Sequence, residues 1–177
     1  MSLQRIAEAM ERLAAVLRRR PALAVQDDAP AVAVWEGGLR VTAQHPGGAQ
    51  VVTDMPQELG GNGDAVSPGW LVRAGAASCA VTRIVMSAAE QGVQLDTVRA
   101  TMRSRSDARG LLGMRDSAGE AFFAGPTDLQ IQVQITARDV PDTTLARLVE
   151  ESCRCSPVNA ALETALSVDV ACVTPGR

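Results

Sequence analysis

Hydrophobic residues recur at helical spacing in the first segment of the chain. Apolar side chains occupy every third or fourth position over residues 3–17, which predicts an amphipathic helix with one apolar face. Arg18–Arg20 follow the apolar positions, where cations suit the helix dipole, and Pro21 ends the helix. We interpret this helix as packed on the core or on a partner subunit, in preference to a membrane surface. Residues 21–30 are predicted to be a linker.

Short alternating runs follow the linker and predict β-strands. The runs cover residues 31–35, 40–44 and 50–53, and the Gly-Gly pair at 37–38 between the first two is a hairpin signal. Residues 54–66 contain Pro56 and several glycines, so we expect an irregular loop there.

The strongest element is a long apolar helix in the middle of the chain. Ser67 is a suitable N-cap, Pro68 suits the first helical position, and Gly92 suits the position just after the end. The segment between them is apolar almost all round, so we expect it to be buried on most sides. One small sheet covers only one side of such a helix, and we therefore expect a second copy of the chain to cover the other, giving a homodimer.

The second half of the chain alternates strands with helices. Three runs with one apolar and one polar face predict strands, and two segments with helical spacing predict helices that meet at Ser156-Pro157. The predicted strands are 98–103, 128–135 and 166–172; the predicted helices are 142–155 and 157–165. Cys172 is expected to point inward from the last strand, with Leu166, Val168 and Val170. The fold class is α+β.

Composition excludes several classes of function. The net charge is −3 and only four residues are aromatic, which disfavours binding to nucleic acid. The only histidine is His45, and there is no lysine, so a histidine-rich metal site, a Schiff base and a Walker A site are excluded. No apolar run is expected to span a bilayer, and no secretory segment is recognised. We expect a cytoplasmic protein without a cofactor and without a nucleic-acid or membrane partner.

Cys79 is the best candidate for a reactive side chain. It lies within the apolar helix, and Arg83 follows four residues later on the same face. Neighbouring cations lower the pKa of a thiol and so favour the nucleophilic thiolate. Arg83 and Arg73 of the same helix have no obvious acidic partner in the sequence. The helix N-terminus is about three turns away, where its dipole has faded, so any activation must come from arginines, and Arg83, Arg40 and Arg109 are the candidates. The alternative is that Cys79 is a small core residue.

The other three cysteines are weaker candidates for a reactive side chain. Cys153 and Cys155 form a Cys-x-Cys pair without a second pair of ligands, so we do not expect them to bind a metal. Cys172 is expected to be structural.

Two motifs occur together in this chain. A Gly-Gly-x-Gly loop precedes Ser67-Pro68, and Cys79 follows after ten intervening residues in a helix of small residues. Near the C-terminus, Ser156-Pro157-Val158 begins a helix. Together these motifs resemble the OsmC/Ohr family of thiol-dependent hydroperoxide reductases. The resemblance covers about residues 30–174 and divides the chain into an N-terminal helix with its linker, residues 1–30, and an OsmC-like domain, residues 31–177.

The resemblance implies a strongly curved antiparallel sheet wrapped around a long central helix, in an intertwined homodimer with sites at the subunit interface. By similarity, Cys79 is the peroxidatic cysteine and Arg40 its arginine. The family's glutamate corresponds to Gly69, and its resolving cysteine corresponds to Ser156. Cys155 stands one residue before that position and is the candidate for a displaced resolver.

Two functions remain open at this point. In the first, Cys79 reduces organic hydroperoxides, with Cys155 or an external thiol or lipoyl-type reductant completing the cycle. In the second, the protein has the same fold but no peroxidase activity, and it binds a small hydrophobic or acyl ligand at the dimer interface.

Overall fold

The computed structural model describes residues 2–164 and 167–173. The helices are α1 Leu3–Arg19, α2 Pro68–Glu90, α3 Ala108–Leu111, α4 Asp142–Arg154 and α5 Pro157–Glu163. The strands are β1 Val32–Gly37, β2 Arg40–Gln44, β3 Gln50–Thr53, β4 Leu95–Arg105 and β5 Thr127–Ala137. Single turns of 3-10 helix cover Pro21–Ala24 and Gln57–Leu59.

All strand pairs are antiparallel, and the α+β class is confirmed. Strands β1, β2 and β3 form one sheet in chain order, in which Val41 is paired with both Trp35 and Thr53. Strands β4 and β5 form a second sheet, in which Met102 pairs with Ile131. Within the described part of a single chain, the strands therefore lie in two sheets.

Helix α2 is the central packing element of the chain. Helix α1, strand β4 and helices α4 and α5 all pack against it. Its buried face is a row of residues four apart, namely Ala76, Ala80, Ile84 and Ala88. Small side chains along that row let the neighbouring elements approach closely.

In the single chain α2 is buried along one face only, whereas the expectation of burial on most sides was made for a homodimer. Trp70 and Val72 are exposed, and several other apolar positions are only half-buried. The physical reason is that the described elements of one chain pack against only part of its circumference. Helix α2 is also long and apolar enough, by length and composition, to cross a membrane. This differs from the sequence expectation, although the core helix of a soluble protein meets the same criterion.

Both ends of α2 and the start of α5 fall where the sequence predicts them, but without the predicted side-chain caps. Ser67 precedes Pro68, and Gly92 follows the helix with φ of +68°, a conformation that glycine adopts readily. Neither Ser67 nor Ser156 makes a side-chain capping hydrogen bond within the described structure.

The predicted last strand is wrong for the residues that the structure describes. Residues 167–173 are not in a strand, and Val168, Val170 and Cys172 are exposed. Leu166 lies outside the described residues. Alternation makes a segment suitable for a sheet, but a strand also needs a neighbour to supply its backbone hydrogen bonds. No such neighbour pairs with 167–173 within the described chain.

Candidate functional site

Cys79 lies midway along α2 and is half-buried, with a free thiol. It is next to Ala80 of the buried row, so it borders the face on which the other elements pack. The start of α2 is eleven residues away, about 16 Å along the axis, where the field of the helix N-terminus has faded. A partly accessible thiol meets the steric requirement for attack on a small oxidant.

The side chain of Arg83 is directed toward Glu90, not toward Cys79 as the sequence predicts. Its Nη2 lies 3.3 Å from Oε2 of Glu90. Glu90 is toward the C-terminus of α2, whereas Cys79 is one turn toward the N-terminus. The prediction that the helix arginines lack acidic partners is therefore wrong for Arg83. The missed signal is a spacing of seven residues, which returns to the same helix face after two turns.

Arg40 begins β2 and is also held by carboxylates. Its Nη1 lies 2.7 Å from Asp64 Oδ1 and 3.5 Å from Asp54 Oδ2. The hydrogen bond with Asp64 is the main reason that the pKa of Arg40 is raised above its ordinary value. Arg40 therefore joins β2 to the loop that leads into α2.

Asp54, which the sequence analysis did not single out, organises that loop. Its side chain is 1% exposed. Oδ1 accepts the backbone N–H of Met55 at 2.7 Å, and Oδ2 accepts that of Asn62 at 3.1 Å. These bonds, the Met55 bond first, hold the pKa of Asp54 below its ordinary value. The only available signal was an aspartate at the start of a glycine-rich loop, because Asx side chains commonly bond nearby backbone groups.

Glycine is required at one point of this loop. A Cβ on Gly61 would lie 1.9 Å from the carbonyl oxygen of Met55 and 2.7 Å from Asp54 Oδ1. The backbone at Gly61 therefore lies closer to Met55 and Asp54 than a residue with a Cβ atom would allow. An open cavity of about 420 Å³ lies between Asp54, the loop and Ser67 at the start of α2.

Arg109, the third candidate cation, is bound by Asp107. Its guanidinium donates through Nε and Nη2 to that carboxylate, at 2.6 Å for the shortest contact, and stacks on Phe122 at 3.9 Å. Thus all three candidate arginines are paired with carboxylates. Arg73 of α2 instead donates to the neutral hydroxyl of Ser104 at 3.3 Å.

The junction of α4 and α5 contains two cysteines and the serine of the family motif. Ser156 is fully buried, and its Oγ has no hydrogen-bond partner within the described structure. Cys155 beside it is exposed at the end of α4, with a free thiol. Cys153 is half-buried; burial raises the pKa of its thiol, and Glu163 raises it further. Adjacent residues 155 and 156 therefore differ in environment: one side chain meets solvent and the other is enclosed.

The structure brings part of the predicted site together. Helices α4 and α5 both pack on α2, so the Ser156 junction lies against the helix that holds Cys79. Arg40 and Arg83 are instead bound to Asp54, Asp64 and Glu90. Cys155 is a free exposed thiol rather than a buried replacement for the motif position.

The family model described as OsmC-like protein matches residues 61–171 of the chain, a segment that includes α2 and α5. No curated protein matches the chain significantly.

Several solved structures share the fold. An OsmC-like protein from Mycoplasma pneumoniae has a TM-score of 0.64 at 13% identity, covering 78% of this chain and 89% of its own. An organic hydroperoxide resistance protein OsmC from Legionella pneumophila has a TM-score of 0.56 at 22% identity, covering 77% and 91%. An organic hydroperoxide resistance protein from Elizabethkingia anophelis has a TM-score of 0.56 at 17% identity, covering 77% and 89%. At these identities the comparisons establish the fold alone.

Proposed function

The chain belongs to the OsmC-like protein family, and from that premise we propose that it reduces organic hydroperoxides through Cys79. The observation that carries the proposal is a half-buried free thiol in the middle of the central helix, inside the matched region. The names of the Legionella and Elizabethkingia proteins, which share the fold, support the same role.

The proposed first step is attack of the Cys79 thiolate on one peroxide oxygen. A sulfur–oxygen bond forms, the O–O bond breaks, and the departing alkoxide takes a proton to become an alcohol. Cys79 is left as a sulfenic acid. A thiol then condenses with it, releasing water and forming a mixed disulfide, and a second thiol of the reductant displaces Cys79.

The reductant is proposed to be external, either a free thiol or a lipoyl-type dithiol. Ser156 offers no sulfur at the position where the family's resolving cysteine stands. Cys155 is exposed while Ser156 is enclosed, which supports the view that a shift by one residue does not give Cys155 the same direction. The reaction is proposed to take place in the cytoplasm, where thiols remain reduced.

A homodimer is part of the proposal. The accessible surface of the chain is 13304 Å², whereas a folded monomer of 18.5 kDa exposes roughly 8,200 Å². Apolar residues of β1, among them Val34 and Trp35, account for some of the excess. We expect light scattering to give about 37 kDa, twice the chain mass, and a monodisperse mass of about 18.5 kDa would contradict the dimer.

The division at residue 30 is retained as a proposal. Residues 1–30 are taken as an addition to an OsmC-like domain of residues 31–177. Because α1 packs on α2, deletion of 1–30 should lower stability and leave peroxide reactivity in the remaining protein. Loss of the reactivity from folded truncated protein would contradict the division.

The test of the activity is rapid mixing with cumene hydroperoxide in the presence of a dithiol. Wild type should consume peroxide, Cys79→Ser should lose at least about 100-fold in rate, and the control Cys172→Ser should match wild type. Equal rates for wild type and Cys79→Ser would reject the proposal.

One observation favours a second function, ligand binding without peroxidase activity. Arg40, Arg83 and Arg109 each contact a carboxylate, which offsets part of the positive charge that would stabilise a thiolate at Cys79. In that case cumene hydroperoxide should leave the number of titratable thiols unchanged, whereas peroxidase activity without reductant should remove at least one thiol per chain.

A further inference from the structure

Helix α1 is only partly covered by the rest of the chain. It packs on α2, and the half-buried apolar residues of its packed face are Leu3, Ile6, Ala7, Met10, Ala14 and Leu17. None of the residues Leu3–Arg19, all of which the structure describes, is fully buried. Beside the packed face, Leu13 is 59% and Val16 46% exposed, and Leu23 in the turn that follows is exposed as well. The packing therefore leaves an apolar strip of α1 in solvent.

A row of arginines borders this apolar strip. Arg5, Arg12 and Arg19 are exposed and stand seven residues apart, and because seven residues make two helical turns, they lie in one line along α1. Positions four apart, such as 12 and 16, are neighbours on a helix. Among the described residues, the only ion pair of this row joins Arg12 to Glu8 at 4.0 Å. The helix then ends in the exposed run Arg18–Arg20.

The charge of the whole chain is divided at the same place. Residues 1–26 contain five arginines and two glutamates, so their side chains carry +3. The side chains of residues 27–177 carry −6, which gives the net charge of −3. An anionic surface attracts the first segment and repels the second. The chain would therefore approach such a surface with α1 foremost.

We propose that this exposed flank of α1, together with the turn Pro21–Ala24, binds the surface of an anionic membrane. Leu13, Val16 and Leu23 enter the boundary between headgroups and acyl chains, while the arginines donate to lipid phosphates. The packed face of α1 stays on α2. Nucleic acid would bind the arginines but would leave the apolar strip in water, so the combination favours lipid.

The exposure of Leu13 changes an expectation drawn from the sequence. Helical periodicity assigns Leu13 to the packed face, and from the sequence we expect no membrane partner. In the structure the packing on α2 is confirmed, but it does not cover Leu13. Membrane binding and the reactivity of Cys79 are independent, so either can fail without the other.

The test is co-sedimentation of the full-length protein with sucrose-loaded vesicles in about 0.1 M salt. One set of vesicles is phosphatidylcholine alone, and the other contains about 30% phosphatidylglycerol. Wild type should bind the anionic vesicles saturably and at least about 10-fold more tightly than the neutral ones, and salt should weaken the binding. No saturable binding to the anionic vesicles, or equal binding to both sets, overturns the proposal.

A charge variant locates the binding surface. The variant is Arg18→Gln/Arg19→Gln/Arg20→Gln, and it should bind anionic vesicles at least about 30-fold more weakly, because each arginine near an anionic surface contributes about 5-fold. Unchanged binding by this variant overturns the proposal.

A matched control removes the same charge from another exposed surface. The control is Arg99→Gln/Arg103→Gln/Arg105→Gln, at three exposed positions of β4. Both triple variants have a net charge of −6. The control should stay within about 3-fold of wild type, and a loss equal to that of the α1 variant would assign the binding to net charge and overturn the proposal.

An apolar variant separates a membrane from a second copy of the chain. Leu13→Gln/Val16→Gln keeps the charge and the helix propensity, and it should weaken vesicle binding at least about 10-fold. Its mass in light scattering without vesicles should equal that of wild type. A lower mass together with unchanged vesicle binding would assign the strip to a second copy and overturn the proposal.

Wild type alone gives an independent location of the bound surface. Trypsin cleaves after arginine, and Arg18, Arg19 and Arg115 are exposed. Saturating anionic vesicles should slow cleavage after Arg18 and Arg19 at least about 5-fold and leave cleavage after Arg115 unaffected, as measured by peptide mapping. Equal cleavage after Arg18 and Arg19 with and without vesicles overturns the proposal.

Discussion

Two buried polar regions of this molecule are built in opposite ways. In the loop that leads into α2, both oxygens of Asp54 accept backbone hydrogen bonds, and Oδ2 also lies within ion-pair distance of Arg40. At the junction of α4 and α5, Ser156 Oγ and Asn159 Oδ1 are buried with no partner in the described structure. Both regions pack at or near α2, but only the first satisfies its polar atoms.

The first region serves to stabilise the loop, whereas the second can accommodate a reactive side chain. A fully paired carboxylate fixes the loop and leaves nothing free to bind. A buried hydroxyl without a partner lowers the stability of the folded state. A thiol at the same position would lower it much less, because free cysteine behaves as a small apolar residue. By the resemblance drawn from the sequence, Ser156 corresponds to the family's resolving cysteine, so a thiol is the replacement to test at this position.

Disrupting the hydrogen bonds of Asp54 should have the largest effect on stability. In Asp54→Asn the amide oxygen can keep the bond from Met55, but the NH₂ group then faces the N–H of Asn62. Two donors cannot bond each other, so the loop loses that bond and the charge pair with Arg40. We expect Tm to fall by about 10 °C in thermal denaturation at pH 7.

The same variant should change the response to acid. The pKa of Asp54 is lowered in the folded protein, so its contribution to stability is present above the unfolded value of about 3.9 and is lost as pH falls through the folded value. Wild type should therefore lose stability relative to Asp54→Asn below about pH 4. The control Asp64→Asn, at an exposed partner of Arg40, should change Tm by less than about 2 °C; a larger change there would place the organising charge at Asp64.

A pair of glycines tests the loop by shape alone. Gly61→Ala places a methyl group against the Met55 carbonyl and should destabilise the protein by about 2–3 kcal/mol. Gly75→Ala lies within α2 with no atom in the way and should stabilise it by about 0.5–1 kcal/mol. Chemical denaturation of the two variants should give opposite signs, and equal effects would refute the tight loop.

At the junction of α4 and α5, removal of an unpaired polar atom should raise the stability of the protein instead of lowering it. Ser156→Ala removes a buried hydroxyl without a partner and should stabilise the protein by about 1 kcal/mol, or about 3 °C in Tm. Ser156→Cys should be at least as stable as wild type and should form a disulfide with Cys79 after peroxide treatment. Destabilisation by Ser156→Ala would show that the hydroxyl has a partner after all.

The smallest expected effect lies at the start of α2. A Cβ on Gly69 would stand 3.9 Å from Nη1 of Arg73, so Gly69→Glu places a carboxylate four residues before that cation. Helix propensity, the helix dipole and the ion pair together should add about 0.7 kcal/mol, or about 2 °C in Tm. The control Gly69→Gln lacks the charge and should gain less; an equal gain would assign the effect to propensity alone.

Local patterns predicted most of the secondary structure, because turn residues and periodicity are properties of short segments. Strands β2 and β3 and the ends of α2 agree with the predictions within a residue or two. The last predicted strand failed because alternation at 167–173 cannot by itself supply a pairing partner.

The site was less predictable for a related reason. Which carboxylate binds an arginine depends on side-chain direction across elements, as the pairing of Arg40 with Asp64 illustrates. The family resemblance drew attention to Ser156 as the position of the resolving cysteine, which stays a prediction. Its burial without a hydrogen bond, however, follows from how α4 and α5 meet, and the sequence carries no signal for that.

The central claim is that Cys79 is the thiol that meets peroxide and that no internal cysteine resolves it. The direct measurement is peptide mapping by mass spectrometry, without reduction, after brief treatment with less than one equivalent of cumene hydroperoxide. We predict sulfenic or sulfinic acid at Cys79 first, with little Cys79–Cys155 disulfide. Earlier oxidation of Cys153, Cys155 or Cys172, or a rapid and nearly stoichiometric Cys79–Cys155 disulfide, would contradict the account.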